Sequence, residues 1–342
     1  MKQKNKISKA KLLILCLVLT TGTVFSQTAQ ISGFADVIAV ASSDTAGGKM
    51  QTKNNFSLGA IDMFITSQFD KVSFLGEVAF EWDEVDFERL VINYDIKNYF
   101  KISVGKFYTP LGYWNNTYNH GTLIQPTISR PEVLGDFIKS MHLKKQIGFQ
   151  FQGDGITKYN LGYNLAVTHG ITDIGYVDDA DEGKALTLNL HAEPIENLKV
   201  FVSGLYDVVP KGQQAVSDSI LLTDADFQIF NFGVAYMNGK LPFEFIGEYY
   251  NVSHNMAETK STQGYLLYAG YRIKKFVPYI SYDVLLYEKG DQYFNTNNSN
   301  AATLGLRYLL NAKSVIKLEY KYRQLETTGV GHFVTMQFAI GF

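Results

Sequence analysis

Residues alternate apolar and polar with a period of two along most of the chain. Val72, Phe74, Gly76, Val78, Phe80 and Trp82 fall on one face of a pleated strand, and Ser73, Leu75, Glu77, Ala79, Glu81 and Asp83 on the other. Near the end, Ile316, Leu318, Tyr320 and Tyr322 alternate with Lys317, Glu319, Lys321 and Arg323. In the last segment Val334, Met336, Phe338, Ile340 and Phe342 alternate with Phe333, Thr335, Gln337, Ala339 and Gly341. Helical spacing would scatter these sets around an axis. The pattern predicts sixteen strands, near residues 30–41, 56–68, 72–83, 86–96, 99–108, 146–153, 158–169, 184–192, 198–207, 226–237, 242–251, 263–274, 276–287, 300–310, 314–324 and 332–342.

The connections alternate as well. Tight turns are expected around Asp70, Lys97-Asn98, 153–155, 194–197, 238–240, 274–275 and 311–313, where turn formers or charges cluster. Between them lie mostly longer segments, at 42–55, 109–145, 170–183, 208–225, 252–262, 288–299 and 325–331, with a brief one at 83–85. Strict interleaving of short and long connections predicts an even-stranded antiparallel barrel with both termini at one rim. A secreted soluble β-sandwich or jelly roll acting as a binding protein also alternates apolar and polar residues. Strand length argues against it, since soluble strands run to about 5–6 residues and a tilted membrane-crossing strand needs about 9–11. Aromatic residues gather at the expected strand ends, as two interfacial girdles require. Tyr94, Tyr99, Tyr159, Tyr236, Phe243, Phe276 and Tyr308 sit beside turns, and Trp82, Phe87, Tyr206, Tyr249, Tyr265 and Tyr287 beside loops.

The N-terminus changes the picture. Lys2, Lys4, Lys6, Lys9 and Lys11 precede an apolar run from Leu12 to Leu19, and Val24-Phe25-Ser26 offers a cleavage site before Gln27. Residues 1–26 therefore read as a signal peptide, leaving 27–342 as one barrel domain. The run is too short for a membrane helix, which needs about 20 residues, and no later stretch is long enough. Removing 1–26 moves the formal charge from −2 to −7, with 26 basic against 33 acidic residues. An acidic chain without a basic block is a poor nucleic-acid partner. The only cysteine, Cys16, leaves with the signal, and with it every disulfide, thiolate metal site and cysteine nucleophile.

Enzymatic motifs are absent. His120, His142, His169, His191, His254 and His332 form no His-Glu-x-x-His pair, and there is no Gly-x-Ser-x-Gly elbow or phosphate-binding glycine loop. No catalytic residue, cofactor or metal site is expected, although a barrel enzyme of the protease or phospholipase type would show its site only in space. The acidic run Asp178-Asp179-Ala180-Asp181-Glu182 lacks the spacing of a calcium loop and reads as a solvated external loop.

The terminal Phe342, with Phe338 and Ile340 on its face, resembles the signal by which barrel-assembly machinery recognises bacterial outer-membrane barrels. With the signal peptide and strand count, the chain resembles a general bacterial porin. Val104-Gly105-Lys106-Phe107-Tyr108-Thr109-Pro110-Leu111-Gly112-Tyr113-Trp114 and Ile128-Ser129-Arg130-Pro131 resemble a strand and loop of the phosphate-selective porin O and P family and related β-barrel porins. The resemblance implies an integral protein of the Gram-negative outer membrane, in contact with lipid and lipopolysaccharide and assembled as a homotrimer. It would pass small hydrophilic solutes or ions by passive diffusion. It also implies that the third external loop, 109–145, folds inward.

That loop carries the candidate constriction residues Tyr113, Trp114, Arg130, Glu132 and Asp136, with Arg130 favoured as the charge facing solute. Pro110, Pro126 and Pro131 stiffen it, and Tyr118, Leu123, Ile124 and Phe137 offer anchors. An external flap is the alternative. The candidate bore carries both signs. Glu77, Glu81, Glu244, Glu248 and Glu319 are acidic wall positions, and Lys199, Arg272, Lys317, Lys321 and Arg323 basic ones. No long Arg and Lys ladder accompanies them, so the porin reading stands on firmer ground than phosphate.

Overall fold

A computed structural model describes residues 29–46, 49–80, 85–119, 121–141, 143–171, 182–256, 258–294, 296–326 and 329–342. The signal peptide, Glu81, Trp82, His120, His142 and Asp178–Asp181 lie outside these residues, and Asp136 and Phe137 are described by backbone only.

Sixteen antiparallel strands form one closed sheet. They are β1 (Gln30–Ala46), β2 (Lys49–Phe69), β3 (Val72–Phe80), β4 (Val85–Lys97), β5 (Phe100–Tyr108), β6 (Lys145–Gly153), β7 (Gly162–Thr168) and β8 (Ala185–Ile195). The second half comprises β9 (Leu198–Val209), β10 (Ala225–Tyr236), β11 (Phe243–Asn255), β12 (Thr259–Tyr271), β13 (Phe276–Tyr287), β14 (Ser299–Asn311), β15 (Ser314–Leu325) and β16 (Gly329–Gly341). Each strand pairs with the next, and β1 pairs with β16, Val37 opposite Phe338. Gly33 and Phe342 exchange backbone hydrogen bonds of 3.1 and 3.0 Å at the seam. Closure leaves no edge strand, so every strand donates and accepts on both sides without help from water.

The two faces of the sheet are reversed relative to a soluble protein. On β15, Lys317 and Glu319 point inward and are buried, while Leu318 and Tyr320, alternating with them, are exposed on the outside. Leu186, Leu188 and Leu190 on β8 and Phe230 and Phe232 on β10 repeat the outward apolar choice; Thr187, Asn189 and Asn231 repeat the inward polar one. A soluble sandwich would bury the apolar set between two sheets, and here there is a single closed sheet. Phe338, Ile340 and Phe342 stand together on the outer face.

Three expected external loops prove to be mostly strand. Segments 42–55, 252–262 and 325–331 continue the ladder, so that Ser43 pairs with Thr52, Asn255 with Thr259 and Leu325 with Gly329. These strand ends are mostly polar, and hydrogen-bond pairing extends them where no sustained apolar alternation marks them. The long connections that remain are 109–144, 169–184, 210–224 and 288–298, the last three retained nearly as expected. Two girdle residues face elsewhere. Tyr287 packs against the interior cluster, and Tyr236 is covered where its hydroxyl accepts the Leu241 N–H at 3.1 Å. Tyr94, Tyr99, Tyr159, Phe243 and Phe276 at the turn end, and Phe87, Tyr206 and Tyr265 at the loop end, are exposed.

The interior is filled chiefly on one side, with a small second cluster of Val91, Phe107 and Ala166 on β4, β5 and β7. Phe227 and Ile229 on β10, Ile246 and Val252 on β11, Leu266 on β12 and Leu285 on β13 form an apolar cluster. Leu111, Trp114, Val133 and Ile138 of the long loop join it, as do Ala215, Leu221, Tyr293 and Phe294 of the external loops.

Candidate functional site

Chain leaving β5 at Thr109 turns into the bore rather than out of it. The neck is tied by Asn115, whose amide donates to the carbonyls of Thr109 (3.0 Å) and Lys144 (3.2 Å), the two ends of the loop. Gly112 then takes a left-handed φ of 77°, and a Cβ there would lie 2.0 Å from the Tyr250 hydroxyl. Only glycine suits both the conformation and the approach to the opposite wall. A short helix, α1 (Tyr113–Tyr118), follows.

A backbone crossing the inside of a barrel must find partners for its N–H groups away from the sheet ladder. Wall carboxylates supply them at three places. Glu248 on β11 accepts the N–H groups of Trp114 (2.7 Å) and Tyr113 (3.2 Å), two of the first-turn donors of α1 that no helix bond satisfies. Tyr250 holds that carboxylate by donating at 2.7 Å. Glu319 on β15 accepts the N–H of Ile128 (2.5 Å) and of Ser129 (3.1 Å), held by the Tyr279 hydroxyl at 2.8 Å. Asp283 on β13 accepts the Glu132 N–H at 2.6 Å.

Cations complete the clamp. Lys317 donates to the carbonyls of Thr122 (2.5 Å) and Thr127 (3.3 Å). The Glu132 carboxylate reaches the wall between Lys321 (2.5 Å) and Arg323 (3.0 Å). Beyond it, Val133 seats against Gly264 of β12, where a Cβ would come within 2.4 Å of its methyl. Helical segments Val133–Phe137 and Ile138–Ser140 bring the chain back toward β6. Arg130 is half-buried and donates to the carbonyl and side-chain oxygens of Asn119, bracing the loop internally.

Tyr113 and Trp114, named with Arg130 and Glu132 as a constriction set, part company here. Trp114 is 1% exposed and packs edge-on to Tyr118 at 5.4 Å, an anchor inside the cluster. Tyr113 borders open space. Burial raises the pKa of both the Tyr113 and the Tyr118 phenol, which stay neutral at physiological pH. Asp136 is described by backbone only. Glu77, expected as a wall charge, pairs with Arg89, whose guanidinium lies 4.2 Å from the centre of the Tyr108 ring. Glu244 bridges Arg272 (2.9 Å) and Arg307 (2.6 Å).

Open space remains on the side of β4–β9. A cavity of 260 Å³ lies between Tyr113, Asn116 and Thr117 of the loop and a wall that includes Asn93, Gln150 and Asn164. Toward the turn end His191 sits 2.7 Å from Asp154 and 3.0 Å from Asn189. Its hydrogen bond, and the nearby charges of His191, Lys199 and Lys101, hold the Asp154 carboxyl below the usual carboxylate range despite partial burial. The other internal histidine pair, His254 and Asp291, is 3.0 Å apart and enclosed by Phe227, Tyr293 and Phe294. Among the described residues, no cluster of His, Asp and Glu is placed to hold a metal ion.

Sequence reasoning missed Asp283, Tyr250, Tyr279 and the two glycines that admit the loop. Gly264 carried a signal, since an inward strand position without a side chain makes room for a backbone to approach.

No family model matches the chain, and no curated protein matches it in sequence. Solved structures do match in fold. An anion-selective porin from Comamonas acidovorans is 11% identical, over 93% of this chain and 100% of that one, with a TM-score of 0.67. OmpT, an outer-membrane protein of Vibrio cholerae, is 13% identical over 94% and 99%, with a TM-score of 0.64. OmpF of Salmonella typhi, solved with daunomycin, is 12% identical over 93% and 99%, with a TM-score of 0.63. At these identities the likeness is one of fold: this chain is a closed sixteen-stranded antiparallel β-barrel of the kind found in outer-membrane porins.

Proposed function

We propose that the protein is an outer-membrane porin that lets small hydrophilic solutes diffuse through a bore narrowed by residues 109–144. The observation that carries this reading is the combination of an apolar outer face with a polar interior that a clamped loop fills on one side and leaves open on the other. A lipid-facing barrel needs the first, and a selective aqueous path needs the second. An enzyme reading has less to stand on. The His254 and Asp291 pair is 1% and 2% exposed at its side chains and packed among aromatic rings, which suits a brace between β11 and the loop 288–298 rather than a substrate site.

Phosphate selectivity, the finer expectation from the O and P resemblance, gains little support. Arg89, Arg272, Arg307, Lys321 and Arg323 each meet a carboxylate, and Lys317 meets two carbonyls. Cations neutralised within the wall or spent on the loop cannot form a continuous anion ladder. Purified protein inserted in planar bilayers should give stepwise conductance with weak ion selectivity. Silent bilayers containing correctly folded barrel would remove the porin reading.

Assembly follows the same reading. Phe338, Ile340 and Phe342 would be read by the assembly machinery on their exposed outer face, and the barrel would then pack as a homotrimer, in contact with lipid and lipopolysaccharide. Exposed Phe56, Leu58 and Phe87 on β2 and β4 supply an apolar surface for that packing. One OmpT structure from Vibrio cholerae is described as a trimer form. Native mass spectrometry in mild detergent should find three copies of a chain beginning at Gln27. A monomer would end the trimer assignment, and an intact Met1 the signal-peptide assignment.

A further inference from the structure

The wall of the open cavity mixes polar groups with the apolar side chains of Leu75, Val91, Phe107 and Phe201, and has Arg89, His191 and Lys199 at its margin. It carries a belt of amides and hydroxyls that crosses eight consecutive strands, β3 to β10. Asn93 on β4 donates to Ser73 on β3 (3.1 Å) and accepts from Ser103 on β5 (2.6 Å), which accepts in turn from Gln152 on β6 (2.8 Å). Gln150 on β6 donates to Asn164 on β7 (3.3 Å). Asn189 on β8 donates to Ser203 on β9 (2.8 Å), and Ser203 to Asn231 on β10 (3.3 Å). A primary amide has two donor hydrogens and a carbonyl with two lone pairs. Bonds along the belt use only part of that capacity and fix each amide's orientation.

Facing the belt, α1 presents Tyr113, Asn116 and Thr117. The Tyr113 ring stacks on Phe201 with centroids 6.3 Å apart and planes 24° from parallel, forming a flat apolar floor. At the margin Arg89 pairs with Glu77, and His191 shares a hydrogen bond of 2.7 Å with the Asp154 carboxylate, which also lies near Lys199.

We propose that this cavity, between the amide belt and Tyr113 of α1, is a subsite for neutral polyhydroxylated solutes of monosaccharide size. Hydroxyl groups that both donate and accept match amides that do the same, and the C–H face of a sugar ring matches an aromatic floor. An ion entering the same space gives up hydration to a wall whose charges, Lys199 apart, are met by neighbouring side chains, which is unfavourable. The proposal rests on the porin reading for its route but not for its binding, so the two can fail separately.

Two measurements on the refolded full-length mature chain decide it, with glucose and gluconate as probes of similar size and different charge. Saturation-transfer NMR in detergent micelles should show transfer to glucose and little to gluconate. Proteoliposomes should swell faster in glucose than in gluconate. Asn164→Asp keeps an acceptor for Gln150 while placing a full charge in the belt. It should slow glucose-driven swelling about tenfold, the effect of losing one or two hydrogen bonds to solute, and favour potassium over chloride. Tyr113→Ala leaves the strand ladder untouched and should reduce both the NMR transfer and the glucose rate, giving the same readout if the barrel rejects the carboxylate. Equal transfer and equal swelling for the two probes, unmoved by either variant, would overturn the subsite and leave the porin standing. Glucose transfer in micelles with silent liposomes would support the subsite and overturn the porin.

Discussion

Deleting residues 115–128 should raise single-channel conductance severalfold without lowering the thermal stability of the barrel. The segment removes most of α1, the neck amide of Asn115 and the Thr122 and Thr127 carbonyls that Lys317 holds. It also removes Ile128, one of the two N–H donors to Glu319. None of these groups takes part in the sheet ladder, which consists of bonds between adjacent strands and closes through β1 and β16. Stability should therefore follow the ladder and conductance the loop. Lys317 and Glu319 are adjacent inward positions of β15, and they would find water in the widened bore rather than remain buried without partners. Conductance unchanged in a folded barrel would mean that current does not pass beside this loop, and the assigned path would be wrong.

How much of this was visible in the sequence depends on what each residue answers to. Lipid imposes a rule on every second residue, so β8, β10, β15 and β16 were legible from Leu186, Phe230, Leu318 and Phe338 and their polar neighbours. Above the apolar belt that rule lapses. Ser42, Ser43 and Asp44 pair with Lys53, Thr52 and Gln51 through backbone bonds alone, which no side-chain pattern announces.

The candidate site was legible in kind and not in detail. A long proline-braced loop with aromatic anchors was plain, but the sequence does not reveal which wall carboxylate meets which backbone N–H. Glu248 and Glu319 stood out as inward charges, and their work as acceptors for the loop depends on its path across the bore. The same holds for Arg130. Among cations of the loop it stood out as the group to face solute, yet its guanidinium is engaged by Asn119 in the same loop. The amide belt was hidden for another reason: its members come from eight strands, and only barrel closure and register set them side by side.

Glu132→Ala should both loosen the loop and turn the channel toward anions. Its carboxylate is the bridge between Lys321 and Arg323, and its own N–H is held by Asp283, so the wall grips this residue at both ends. Removing one partner of a fully buried ion pair costs about 3–5 kcal/mol, because the other charge is stranded. The wall cations are 12% and 30% exposed at their side chains, so water screens them and about 2 kcal/mol is the fitting expectation. That loss would fall on the loop's local opening rather than on the barrel. Hydrogen exchange at Ile128, Ser129 and residue 132 should accelerate about thirtyfold, while strand amides keep their protection.

The electrical consequence has a definite sign. Loss of the carboxylate leaves two cations beside a narrow aqueous path whose protein walls lower the effective dielectric, which attracts anions. The reversal potential in a salt gradient should shift toward chloride. Adding Lys321→Met to Glu132→Ala takes away one of the two cations and should return part of the shift, and the non-additivity of the pair in a double-mutant cycle measures their coupling. Arg130→Glu gives a contrast. If Arg130 serves as a brace, its effect should be greater on loop exchange than on reversal potential, whereas Glu132→Ala should move both. A Glu132→Ala channel with parental exchange rates and parental reversal potential would show that the clamp neither holds the loop nor borders the path.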